Sequence, residues 1–250
     1  MSLIAITEVD RWKAAAAQAA AVLVENEQIV GLGSGSTALL VVSILGQRVS
    51  DGLRIIGIPT SEQTEREARR LGIPLCTLAE HDHIDVTVDG ADQVDIGTFN
   101  LLKGRGGALL PEKIIASVTE QLIIVVDETK LADRLGVQCP MAVEVVPYAW
   151  HETARKLQHL GASPVQRTTR EGQPFITDGG HYILDCAFGA IDDPEQLQRQ
   201  LDQTVGVVEH GLFLGMASRV VVGGVSGVHM RQSPPPHLSA TPHRACRASR

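Results

Sequence analysis

The sequence predicts an α/β protein, a Rossmann-like, mostly parallel sheet domain with a smaller inserted α+β domain. Three observations lead there. Short Val, Ile and Leu runs alternate with longer Ala-rich or amphipathic segments up to about Leu135, the rhythm of parallel strands joined by crossover helices. Aromatic residues make up only 3% of the 250, so the core must rest on aliphatic side chains, which suits strands buried on both faces. Chemically loaded turns follow the apolar runs at Gly33 and Asp89, and open parallel sheets hold ligands beyond the carboxyl ends of their strands.

Taken in order, Thr7 to Glu25 reads as a helix and Gln28 to Leu32 as a strand that runs into Gly33-Ser34-Gly35-Ser36-Thr37. A helix follows through Gln47. Arg54 to Ile58 is a second strand, Ser61 caps a helix to about Leu71, and Pro74 to Leu78 reads as a third strand. Ile84 to Val88 is a fourth, entering Asp89-Gly90-Ala91-Asp92, and a Gly-rich loop then leads to a helix from Pro111 to about Glu120. Leu122 to Val126 is a fifth strand. These elements place a Rossmann-like sheet domain at 1–135, completed by 206–232.

Residues 136–205 read as the small α+β domain. It holds a strand at Ala142 to Val146, a helix from Tyr148 to Leu160, and a hairpin of Pro174–Asp178 with His181–Ala187 across Gly179-Gly180. Gly206 to Gly224 then returns short Val-rich strands to the first sheet. The last eighteen residues, from Ser233, contain four prolines and no acid, the composition of a disordered tail at 233–250.

Charge and cysteine usage exclude several function classes. A net charge of −7 offers no overall basic field for nucleic acid or an anionic membrane surface. The mild apolar stretch Ala14 to Val24 is too short to span a bilayer. Four widely spaced cysteines form no Cys-x-x-Cys, so neither a zinc site nor a disulfide framework is expected, and a reducing cytoplasm is the expected location.

Gly31 to Thr37 sets small residues and hydroxyls between a strand and a helix start, where free N–H groups and the helix dipole favour phosphate. It lacks the lysine of a Walker A loop and the third glycine of a dinucleotide fingerprint. The alternative is a tight turn whose glycines merely allow close packing. Asp89 and Asp92, three apart at a strand end, can face one polar pocket, or can form an ordinary Asx turn. Asp95 is assigned to such a turn.

Lys103-Gly104-Arg105-Gly106-Gly107-Ala108 leads to Pro111-Glu112-Lys113, with Pro at a first helical position and Glu112 as either a helix cap or a proton carrier. Company raises its interest, because a lysine, glycine-freed N–H groups and a carboxylate pair converge on the same mouth of the sheet. Lys130, after the fifth strand, can reach that mouth as a charge for phosphate. His81 and His83 flank Asp82 without a third ligand and read as loop histidines.

In sequence these motifs are Gly31-x-Gly33-Ser34-Gly35-Ser36-Thr37, Val88-Asp89-Gly90-Ala91-Asp92, Leu102-Lys103-Gly104-Arg105-Gly106-Gly107-Ala108-Leu109 and Glu112-Lys113-Ile114-Ile115-Ala116. Together with Gly206-Val207-Val208 and Gly211-Leu212-Phe213, the pattern resembles the A-type ribose-5-phosphate isomerase family from about Lys13 to Gly224. From about Ser226 the chain departs from the family's usual finish.

The resemblance implies a cytoplasmic aldose-ketose isomerase of the pentose phosphate pathway that interconverts D-ribose 5-phosphate and D-ribulose 5-phosphate. It implies no metal or other cofactor, no nucleic-acid or membrane partner, and a homodimer or homotetramer. Carried over position by position, Glu112 is the base, and Asp89, Asp92 and Lys103 work at the reactive end of the sugar. Ser34, Gly35, Ser36, Thr37 and Lys130 hold phosphate, with Lys13, Gly90, Ala91, Gly104, Arg105 and Gly106 as further binding positions. A non-catalytic sugar-phosphate sensor would need only the phosphate loop, and an acyl- or CoA-handling enzyme could share the fold. The intact Glu112 and Lys103 argue against the sensor.

Overall fold

The computed structural model describes residues 7–232. Helix α1 (Glu8–Ala21) begins with a capping box in which the Thr7 hydroxyl accepts from the Asp10 N–H and the Asp10 carboxylate accepts from the Thr7 N–H. There follow β1 (Gln28–Leu32), α2 (Gly35–Ser50), β2 (Ile55–Pro59) and α3 (Glu62–Arg70), the last capped by Ser61 on the Thr64 N–H. Next come β3 (Ile84–Asp89), the short β4 (Gln93–Asp95) and β5 (Leu101–Leu102), α4 (Leu109–Ser117), β6 (Thr119–Asp127) and β7 (Leu131–Ala132). The chain continues through β8 (Met141–Val145), α5 (Trp150–His159), β9 (Ser163–Gln166), β10 (Tyr182–Ala187) and α6 (Pro194–Asp202). It closes with β11 (Val207–His210), β12 (Leu212–Phe213), β13 (Arg219–Gly224) and β14 (Gly227–Gln232).

The central sheet has six strands in the order β14-β13-β6-β3-β1-β2, parallel throughout except for the β13–β14 hairpin. Its residues alternate between two cores, as a period of two requires. On β6, Ile123 and Val125 pack with the alanines of α1 and with Val41, Val42 and Leu45 of α2. Leu122, Ile124 and Val126 face the opposite side with Val220, Val222 and Phe213. Burial on both faces is why the strands read as continuous apolar runs.

A second sheet is antiparallel, in the order β11-β8-β10-β9, and α5 and α6 cover one face of it through Leu157, Leu197 and Leu201. From its other face Ala142 and Ile183 pack on Leu109, the first residue of α4. A third sheet of four short strands, β12-β5-β4-β7, completes the fold.

Several expectations are corrected. Pro74–Leu78 forms no strand but a single parallel bridge, Leu75 to Gly57, because Pro74 has no N–H to extend a ladder. Pro174–Asp178 meets its expected partner only at the Ile176–Tyr182 bridge, and β10 pairs instead with β8 and β9. The chain after Gly206 does not return at once to the central sheet: β11 joins the small sheet beside β8, and only β13 and β14 extend the large one. Pro111 stands at the third position of α4 rather than the first, still inside the turn where its missing N–H costs nothing. β14 shows that the chain past Ser226 forms a paired strand, and the tail expected from Ser233 lies outside the described residues.

Candidate active site

At the end of β1 the chain turns through Gly33 into α2, with Ser34 as N-cap. Ser34 makes no side-chain cap; its Oγ instead shares hydrogen bonds with Thr60 Oγ1 at 2.6 Å and Ser61 Oγ at 2.8 Å, in the loop after β2. The first N–H groups of α2, at Gly35, Ser36 and Thr37, thus receive no cap, and a helix start in that condition suits an anion. Gly33 is required for space, since a Cβ there would stand 2.3 Å from Asp89 Oδ1.

Asp89 ends β3 and is 2% exposed. Its Oδ1 accepts from the N–H of Ser34 at 3.1 Å and of Gly90 at 2.7 Å, and its Oδ2 lies 3.0 Å from Lys103 Nζ. Lys103 also donates to the Gly90 carbonyl at 2.6 Å and stands 3.3 Å from Glu112 Oε2. Burial alone would push the Lys103 ammonium down, but the Asp89 and Glu112 carboxylates outweigh it and hold its pKa above the usual lysine range. Lys103 is therefore a fixed positive charge.

Glu112, on the first turn of α4, is 5% exposed. Burial pushes its carboxyl up, Lys103 pulls it back and Asp89 adds to the rise, which leaves it at about 8. Lys103 approaches Oε2 as an ion pair rather than along a hydrogen-bonding direction, so Oε2 has no hydrogen-bond partner among the described residues. A buried carboxyl that lines the cleft, held against a fixed cation and with a pKa near physiological pH, is equipped to take and return a proton.

These groups open onto one cleft of about 440 Å³. It is walled by Lys13, Ser34–Thr37, Gly90–Asp92, Lys103–Gly106, Glu112 and Lys130, so every nominated residue lines it except Asp89. The expectation that both carboxylates face one pocket holds for Asp92 alone. Asp89 does not line the cleft: its Oδ1 is taken by two backbone N–H groups and its Oδ2 lies against Lys103. Asp92 Oδ2 accepts from the Arg105 N–H at 2.9 Å. Asp95 holds a turn through the N–H groups of Gly97 and Thr98, and His81 and His83 stay outside the cleft.

Two supports of this site are invisible in sequence. Lys113, next to Glu112, donates to Glu209 at 2.6 Å and to the His210 carbonyl at 2.7 Å, pinning α4 to β11. The Leu212 N–H donates to His210 Nδ1, which leaves Nε2–H for Asp202 at 3.1 Å, and burial followed by Lys113 pushes this imidazole down to about 3. Asp202, Glu209 and His210 bring ligand atoms within 4.8 Å of one another, but the Lys113 ammonium already supplies the positive charge there. Arg167 of the small unit donates to the carbonyls of Gly104 and Arg105. No motif marks Arg167, since nothing local in Gln166-Arg167-Thr168 predicts where it reaches. Among the described residues, no helix is long and apolar enough to cross a membrane.

A family model described as ribose 5-phosphate isomerase A (phosphoriboisomerase A) matches residues 56–227. The chain is 53% identical over 223 residues to ribose-5-phosphate isomerase A of Gloeobacter violaceus, covering 89% of this chain and 96% of that protein. It is 50% identical over 226 residues to the Synechococcus sp. protein of the same name, covering 90% and 98%. Among solved structures, it is similar to ribose 5-phosphate isomerase A of Methanocaldococcus jannaschii with a TM-score of 0.85 at 38% identity, covering 90% of this chain and 99% of that one. A D-ribose-5-phosphate isomerase solved in complex with phospho-erythronic acid gives a TM-score of 0.87 at 39% identity, covering 90% and 100%. With these matches added to the four motifs and the cleft they build, the chain belongs to the ribose 5-phosphate isomerase A family.

Proposed function

We propose that this protein interconverts D-ribose 5-phosphate and D-ribulose 5-phosphate through an enediolate, in the non-oxidative pentose phosphate pathway, with Glu112 as the proton carrier. The observation that carries the reading is the buried Glu112 carboxyl, raised to about 8, lining the cleft with its Oε2 3.3 Å from the fixed charge of Lys103. Moving a carbonyl between neighbouring carbons requires a base that removes the proton from C2 and returns it at C1, and a positive field for the oxyanion formed in between. One carboxylate carries that proton in both directions. Lys103 and the glycine loop that follows it, whose Arg105 N–H is already held by Asp92, supply the field.

Asp92, the cleft-facing member of the pair, takes the hydroxyl protons during ring opening, and Asp89 acts by holding Lys103. Phosphate binds at the start of α2, with Ser36, Thr37, Lys130 and Lys13 around it, which points C1 and C2 toward Glu112. The same reading carries a cytoplasmic homodimer or homotetramer and a reaction independent of metal. Turnover of ribose 5-phosphate, followed by the appearance of the ketose, tests it; an inactive parent protein overturns it. Activity lost on chelation and restored by one divalent ion would overturn the metal-free mechanism.

A further inference from the structure

The glycine loop of the cleft is held from outside the cleft. Arg167 lies just past β9, and Asp185 of β10 grips its guanidinium through Nε to Oδ2 at 3.0 Å and a second contact from Nη2 to Oδ1. Its Nη1 then donates to two successive carbonyls, Gly104 at 2.9 Å and Arg105 at 3.0 Å. The Phe175 ring sits 5.8 Å from the guanidinium carbon, where its face attracts the cation. That ring also occupies the place of any side chain on Gly107, whose Cβ would stand 2.5 Å from it. None of Arg167, Phe175 and Asp185 lines the cleft.

A trans peptide is planar, so its C=O and N–H point to opposite sides. With the carbonyls of Gly104 and Arg105 drawn toward Arg167, the N–H groups of Arg105 and Gly106 are aimed the other way. The Arg105 N–H reaches Asp92 Oδ2 at 2.9 Å. The Gly106 N–H donates to nothing among the described residues, and Gly106 lines the cleft with Lys103 and Glu112. We propose that Arg167, clamped by Asp185, is a positioning residue that sets these two peptide planes and so delivers the Gly106 N–H to the charge developing in isomerisation. The proposal rests on the isomerase reading above.

The physical need is plain from the loop's composition. Gly104, Gly106 and Gly107 leave the backbone free to rotate, and a rotated peptide would present a carbonyl oxygen where a donor is needed. Misplacing such a donor by about 1 Å costs on the order of 10²-fold in rate.

Arg167→Lys and Arg167→Ala test this, the second also combined with Asp185→Asn so that no carboxylate is left unpaired. Lysine brings a point charge that cannot hold two carbonyls and Asp185 at once. We expect kcat with ribose 5-phosphate to fall roughly 10²-fold in Arg167→Ala and less in Arg167→Lys, with KM within about threefold. Added guanidinium ion should restore part of the Arg167→Ala rate at concentrations that leave the parent unaffected. Amide exchange of Arg105, read by NMR, should speed up in each variant while amides of β3 and β6 keep their protection.

That exchange readout does not depend on catalysis. An inactive parent would overturn the functional reading, while the Arg105 amide would still judge the positioning role. Unchanged kcat in a folded variant, or unchanged Arg105 exchange, overturns the proposal, and if Arg167→Ala does not fold then Arg167→Lys decides.

Discussion

The two ends of the cleft are built on opposite principles. At the α2 end, Ser36 is exposed, Ser34 and Thr37 are half-buried, and the cleft is lined by hydroxyls and backbone N–H of that one stretch, with Lys13 and Lys130 arriving from elsewhere in the chain. At the Glu112 end, Asp89, Lys103 and Glu112 are 2%, 4% and 5% exposed, and three distant segments bring them together. An exposed helix start can grip an anion that stays equally charged throughout a reaction, so it adds affinity without discriminating the transition state. Charges buried out of water act strongly on a charge that appears only transiently. On the proposed reading, holding and reacting are physically separable, and the variants below test that separation.

The sharpest way to break that comparison is Glu112→Gln. The amide keeps shape and cannot take a proton, so kcat should fall about 10³-fold or more with KM little changed. Steady-state kinetics with ribose 5-phosphate check this, and a retained activity above a few per cent removes Glu112 as the base. In the parent, kcat/KM should climb as pH rises through about 8, because the working base is the ionised carboxylate.

Lys103→Met should come next, with kcat down roughly 10²- to 10³-fold from the lost charge at the oxyanion. It also leaves Asp89 and Glu112 buried without their cation, so the variant should lose about 3–5 kcal/mol of stability by chemical denaturation.

Lys130→Ala addresses the other end. It should raise KM roughly tenfold, the scale of one charged hydrogen bond, while kcat moves little, and it should narrow the gap between ribose 5-phosphate and unphosphorylated ribose. A fall in kcat at constant KM would put Lys130 at the reactive end and reverse the assignment of the two ends.

The smallest effect is on stability against pH. The Glu112 carboxyl is raised from 4.5 to about 8 in the folded state, so the fold holds a proton there that the unfolded chain has released. The associated stability is fully present below about 4.5 and is lost as pH rises through about 8. Between pH 6 and 9 the parent's melting temperature should therefore drop by a few degrees more than that of Glu112→Gln, whose side chain does not titrate, in paired thermal melts.

By itself, the sequence determined the parallel strands β1, β2, β3 and β6, the helix that Ser61 caps, and most of the residues that line the cleft. Those depend on local rules: apolar runs on β1, β3 and β6, the cap at Ser61, and glycines and hydroxyls placed just past strand ends. Tertiary structure alone decided how the groups inside the cleft divide their work. Asp89 and Asp92 look equivalent as letters, yet one lies against Lys103 and the other lines the cavity, because Gly33 lets β1 crowd against Asp89. Pro74–Leu78 has the composition of a strand but finds one bridge, and β11 has the composition of the large sheet but pairs with β8, since pairing partners are chosen over long range. The shift of Glu112 and the reach of Arg167 belong to the same class. Burial, charge separation and the direction of a peptide plane are set by segments tens of residues apart, and no local pattern encodes them.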